Sequence, residues 1–87
     1  MLKITATSTP VETTLRIEGR IVGEWVDELS RSVADAQSTT DRIVLDLSQV
    51  TFVDAIGAVF LRSAAAHGAD VVNSSDFVSG LIRGGRS

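Results

Sequence analysis

Between Arg42 and Arg62 the apolar period changes from that of a strand to that of a helix, which confines this part of the chain to a strand–turn–helix unit. Ile43, Val44, Leu45 and Leu47 form a near-continuous apolar run interrupted only by Asp46. Such a run suits a strand covered on both faces, as in a parallel sheet, and it ends at Leu47. Asp54 is placed to cap a helix, because its carboxylate can accept from the first free backbone N–H groups and complements the positive end of the helix dipole. Ile56, Val59, Phe60 and Ala64 then recur at i, i+3, i+4 and i+8, the spacing of a buried helix face, and Gly68 ends the helix.

The flanking segments fit around this unit. Leu2 to Thr7 alternates apolar and polar, Pro10 stands in a turn, and Thr13 to Glu18 resumes the alternation, so the two runs read as a hairpin with Leu15 and Ile17 on one face. Gly19 and Gly23 bracket the next turn. A helix follows from near Glu24, with Trp25, Leu29, Val33 and Ala36 stacked on one side and Glu24, Asp27 and Glu28 in its first turns. After the polar Ser38–Asp41 connection and the central unit, Ala69–Val72 is a short strand. Ser74-Ser75-Asp76 caps a last helix whose apolar face is Phe77, Val78, Leu81 and Ile82. Residues 83–87 read as a flexible tail. The order β-β-α-β-α-β-α predicts a single α/β domain over residues 1–87, with a four- to five-stranded mixed sheet flanked by helices.

Composition narrows the function. A chain of 87 residues holds one small domain and no interdomain cleft, and 44% hydrophobic residues suffice for a core. The net charge of −3 provides none of the basic field that nucleic acid or an anionic bilayer requires. With no cysteine there is no disulfide, thiolate metal site or cysteine nucleophile. No run of 18 apolar residues occurs and the first residues do not read as a leader, so the expected location is the cytoplasm, without direct membrane insertion.

Few residues invite chemistry. Asp46 and Asp54 lie near the strand end, where open α/β sheets bind ligands, but a cation would need more oxygen donors than these. Asp54 is accounted for as a cap and Asp46 as an acceptor stabilising its loop. His67, the one histidine, follows three alanines at a helix C-terminus and belongs to no Ser-His-Asp set. The glycines form neither Gly-x-Gly-x-x-Gly nor a phosphate loop. Gly57, in a helix's first turn, signals close approach of another backbone or of a partner. Trp25 is most simply a core or half-core anchor, with an interface residue as the leading alternative. The helix after Asp54 is broadly apolar, since Ala55, Ala58, Leu61 and Ala65 supplement its main stripe; it is either buried on more than one side or partly a docking surface. No enzyme, cofactor or metal is expected.

Asp46-Leu47-Ser48, a turn through Val50-Thr51-Phe52, and Asp54-Ala55-Ile56-Gly57 opening a helix resemble the signature of the STAS domain, the module of anti-sigma-factor antagonists and of sulfate-transporter tails. In that family the loop reads Asp-Ser-Ser/Thr-Gly, and a partner kinase phosphorylates the Ser after the Asp. Here that position is Ala55, which has no hydroxyl. Upstream, Gly19-Arg20-Ile21-Val22 is similar to the family's Gly-Glu-Leu-Asp, with Val22 where the acidic neighbour of the phosphoacceptor stands. The resemblance spans about Leu15 to Ile82 and implies a STAS-type fold and a non-catalytic, protein-binding regulatory role. It further implies an anti-sigma factor or kinase-like partner, or alternatively a place as accessory subunit of a membrane transport complex. The implied contact is Phe52, Asp54, Ala55, Ile56 and Gly57, helped by Val22 and Trp25. Thr51, in the same loop, and Ser48 are the substitute phosphoacceptors. A homodimer is compatible with all of this.

Overall fold

A computed structural model describes residues 2–82, with Leu81 and Ile82 as backbone only. The expected tail, residues 83–87, and the Leu81 and Ile82 side chains assigned to the last helix's apolar face lie outside what is described. The elements are β1 (Leu2–Ser8), β2 (Glu12–Ile21), α1 (Gly23–Gln37), β3 (Arg42–Val53), α2 (Ala55–Ala66), β4 (Asp70–Val72) and α3 (Asp76–Ile82). They form one α/β domain with a four-stranded mixed sheet in the order β1-β2-β3-β4. β1 and β2 are the antiparallel hairpin, turning at Thr9–Glu12 where the Thr9 N–H donates to the Glu12 carbonyl at 2.8 Å. β2 with β3 and β3 with β4 are parallel, each pair joined through a helix.

One face of the sheet carries the core. Leu15, Ile17 and Ile21 of β2 and Ile43, Leu45 and Leu47 of β3 pack with Leu29, Val33 and Ala36 of α1, Ala58 and Leu61 of α2 and Val78 of α3. Residues that alternate with them, such as Arg16, Val44 and Asp46, stay half-buried or exposed. The both-faces reading of β3 is therefore corrected: the apolar Val44 lies on the uncovered face, where half-burial among strand neighbours suffices for it.

β3 is also longer than the sequence suggested, running through Ser48–Phe52 to Val53 rather than ending at Leu47. Its register with β2 shifts twice, between Arg16/Glu18 and between Gly19/Arg20. At each shift β3 spends one extra residue, the signature of a β-bulge. Buried positions accordingly fall at Ile43, Leu45, Leu47, Val50 and Val53, while Ser48-Gln49 and Thr51-Phe52 turn outward in pairs. A spacing that moves from two to three resembles a turn in sequence, although the strand is continuous. Gly19 is likewise inside β2 rather than at a turn, at φ 105°, a conformation open to glycine without strain.

The α2 face is rotated from the expected one. Gly57, Ala58 and Leu61 are buried and Phe60 and Ala64 partly so, whereas Ile56 and Val59 are 59% and 57% exposed. Gly57 and Ala58 let the start of α2 sit close to the sheet, and the bulkier Ile56 and Val59, expected inward, face out. Trp25 is half-buried, as a half-core anchor would be.

Candidate protein-docking surface

The ends of β2 and β3 and the starts of α1 and α2 meet at one end of the sheet, and Asp54 ties them. Its Oδ1 accepts from the Gly57 N–H at 2.7 Å, capping α2, and its Oδ2 accepts from the Gly23 N–H at 2.9 Å, the first residue of α1. Its own N–H donates to the Ile21 carbonyl at 3.1 Å. Val22 is the N-cap of α1 but offers no side-chain acceptor, so one carboxylate serves the starts of both helices. Bonds from the Gly57 and Gly23 N–H groups hold the Asp54 carboxyl below its ordinary pKa of 3.8.

A depressed folded-state pKa means that the unfolded chain binds the proton more readily. The stability Asp54 contributes is therefore complete above pH 3.8 and is lost as pH falls through the lower folded value. Asp46 acts in the same direction, lowered chiefly by the Ser48 N–H it accepts at 3.0 Å. Melting from pH 6 to pH 2 is expected to show Tm falling below about pH 4, with Asp54→Asn starting lower and showing a shallower acid limb. Equal acid limbs in the two proteins would refute the assignment to Asp54.

Gly57 lies where the helix start presses on β2. A Cβ there would collide with the Ile21 carbonyl oxygen and would stand 2.9 Å from Ile21 Cγ2 and 3.1 Å from Val53 Cγ1. Gly57 thus answers to close packing within the domain, and it is buried rather than available for contact.

What is available is apolar. Ala55 and Ile56 are exposed in the first turn of α2, Val59 follows one turn on, and Phe52 is 37% exposed with the Arg20 guanidinium 5.3 Å above its ring. Ile56 leans over Gly23, its Cδ1 only 3.0 Å from where a Cβ on Gly23 would lie. Ile56, Ala55, Asp54 and Val22 are therefore brought together. Trp25 is set apart: it shares its side of α1 with Ser32 and Ala36, which line a cleft against β1. Val59, which its helical spacing assigns to the core, is exposed on the same side as Ile56.

The remaining candidates have structural occupations. Thr51 is in the second bulge of β3 rather than in a loop, and its hydroxyl donates to the Gly19 carbonyl at 3.2 Å. Ser48 is exposed at the first bulge. Asp46 also accepts from Asn73 Nδ2 at 3.2 Å. His67 Nδ1 is 2.7 Å from the Ser63 carbonyl at the end of α2. Among the described residues no group of His, Asp or Glu is placed to hold a metal, and no helix is long and apolar enough to cross a membrane.

Comparison with known proteins agrees with this architecture. The unphosphorylated form of the anti-sigma factor antagonist SpoIIAA superposes with a TM-score of 0.75 at 14% identity, covering 93% of this chain and 78% of that one. The phosphorylated form of SpoIIAA, described as a Bacillus cell fate determinant, gives 0.74 at 14% identity over 97% and 84%. An anti-sigma-factor antagonist STAS domain from Rhodobacter sphaeroides gives 0.65 at 22% identity over 86% and 92%. No curated protein matches the chain by sequence. Residues 4–81, nearly the whole chain, match the family described as Mlab, STAS domain. With its sequence matched over that length and its sheet and helices in the SpoIIAA-like order, the chain belongs to the STAS domain family.

Proposed function

We propose that this chain is a non-catalytic regulatory domain of the cytoplasm that binds a protein partner, an anti-sigma factor or a related regulatory kinase, without being phosphorylated at the family's usual position. The observation that carries the reading is the exposure of Ile56 and Val59 in the first turns of α2, with Ala55 exposed at its start. Exposed aliphatic side chains grouped at one end of a small domain cost solubility and are characteristic of contact surfaces. Phe52, Asp54, Ala55, Ile56 and Gly57 form the centre of the contact, helped by Val22, while Trp25 lies outside it on the other side of α1. Asp54 and Gly57 serve it by shaping the loop, and Ala55 and Ile56 by touching the partner.

Ala55 stands where the family carries its phosphoacceptor, so the contact is permanently available. Incubation with the cognate kinase and ATP is expected to leave the mass unchanged, whereas Ala55→Ser gains one phosphate. Phosphate on Thr51 or Ser48 of the unaltered chain would overturn this. Thr51 is the poorer acceptor of the two, since its hydroxyl is engaged with Gly19.

The lack of a hydroxyl at Ala55 equally favours a second reading, an accessory STAS subunit of a membrane transport complex, which needs no phosphorylation switch. Affinity capture on the tagged chain, followed by identification of the bound protein, separates them. A kinase-like regulator supports the first reading, a transporter component the second, and a metabolic enzyme neither.

A further inference from the structure

The two edges of the sheet are treated differently. β4, at one edge, is three residues long and carries Asp70, which pairs with Arg42 of β3 at 3.0 Å. Shortness and charge are common ways of keeping a sheet edge from pairing with another chain. β1, at the other edge, is more than twice as long and carries a single charge, Lys3, near its start. It runs seven residues, Leu2–Ser8, in unbroken register with β2 from Leu2↔Gly19 to Ser8↔Thr13, with no bulge or proline inside it. Among the described residues no segment pairs with its outer side. Lys3 stands opposite Glu18 of β2 in the register, two positions from the centre of the strand.

A second feature adjoins this edge. α1 packs over β1, β2 and β3 but leaves a cleft of about 300 Å³ above β1, floored by Ile4, Ala6 and Leu15 and walled on one side by Ser32, Asp35 and Ala36 of α1. Ile4 is only half-buried and Ala6 is exposed. The apolar inner face of β1 therefore lacks cover at the same edge where its backbone lacks a partner.

We propose that two copies of this chain pair through β1, antiparallel and two-fold symmetric about Thr5, to build a continuous eight-stranded sheet. The register follows from the strand itself, because Thr5 is the midpoint of Leu2–Ser8 and only this centre pairs all seven residues. It sets Leu2 opposite the partner's Ser8, Lys3 opposite the partner's Thr7 and Ile4 opposite the partner's Ala6. Each inward pair joins an aliphatic residue to a small one. The two Lys3 residues are separated by about 14 Å along the strands, beyond a Debye length of about 8–10 Å. Both copies keep their helices on the same face. With α1 centred over β2, the two α1 helices lie roughly three strand spacings, about 14 Å, apart, wider than the 8–10 Å of packed helices and so free of collision. Each copy's α1 then walls the open side of the other's cleft. This interface goes beyond the partner-binding role and uses none of the exposed residues at the start of α2.

Sedimentation equilibrium from low micromolar to near-millimolar protein tests it. The unaltered chain is expected to pass from one to two chain masses over that range. Thr5→Lys places two like charges opposite each other on the two-fold axis and should weaken dimerisation by about tenfold or more. Thr5→Glu should do the same. Thr5 is exposed, and circular dichroism should show both variants folded. Mixing the two should restore the dimer, because Lys then faces Glu, an outcome that only pairing centred near Thr5 produces. An unaltered chain that stays monomeric throughout, or a Thr5→Lys variant that dimerises as the unaltered chain does, would overturn the proposal.

Discussion

Gly57→Ala is expected to lower Tm by about 8–16 °C, corresponding to a loss of about 2 kcal/mol in a domain of this size. Helix propensity alone argues for the opposite sign, since alanine is favoured over glycine in a helix by about 1 kcal/mol. Packing decides against propensity here. The added methyl would meet the Ile21 carbonyl oxygen, which belongs to the backbone of β2 and cannot rotate away, with Ile21 Cγ2 and Val53 Cγ1 closing in at 2.9 and 3.1 Å. Relief requires α2 to lift from the strand ends, and lifting it stretches the Asp54 bonds that hold both helix starts. Gly80→Ala in α3 is the matched control, because its added methyl has nothing within 4 Å and only the propensity gain remains. Melting should therefore move in opposite directions for the two substitutions. An unchanged or raised Tm for Gly57→Ala would mean that α2 has slack at its start, and the account of Asp54 as a rigid tie would fall with it.

The fold was legible in the sequence where period and punctuation agree. The Leu2–Thr7 and Thr13–Glu18 alternation around Pro10 gave the hairpin, and Leu29, Val33 and Ala36 gave the buried side of α1. Asp54 was recognisable as a helix cap because it directly precedes the helical stripe, but its second bond, to Gly23, joins residues 31 apart and has no local signature. The limits lie where backbone irregularity changes the period. Two bulges carried β3 on to Val53 with a spacing of three that imitates a turn. The buried side of α2 was misread because it is made of Gly57, Ala58 and Leu61, the first two too small to stand out in an apolar helix. That misreading concealed Val59 as a companion of Ile56. It also shows why the surface is apolar: at the start of α2 the space against the sheet is filled by Gly57 and Ala58, and Ile56 and Val59 point away from it.

Ile56→Asp is expected to abolish partner binding while leaving the domain folded. Ile56 is 59% exposed, so the substitution removes only its contact over Gly23, and an acidic residue in the first turn of α2 is favoured by the helix dipole. Tm should thus stay within a few degrees of the unaltered chain. In a complex the same carboxylate would be drawn out of water into an apolar contact with no donor prepared for it, at a cost of several kcal/mol. Each 1.4 kcal/mol is tenfold in Kd, so the loss should exceed about 100-fold. Val59→Asp, one turn along the same exposed side, should weaken binding by a comparable factor. Val11→Asp, at a more exposed position (72%) but in the β1–β2 turn, should leave binding unchanged. Titration of the captured partner against the four proteins, with melting run in parallel, separates the roles. Undiminished affinity in Ile56→Asp with an undisturbed Tm would remove the start of α2 from the contact. A fall in Tm as large as that of Gly57→Ala would instead make Ile56 a support of the fold, leaving Val59 and Phe52 to carry the surface.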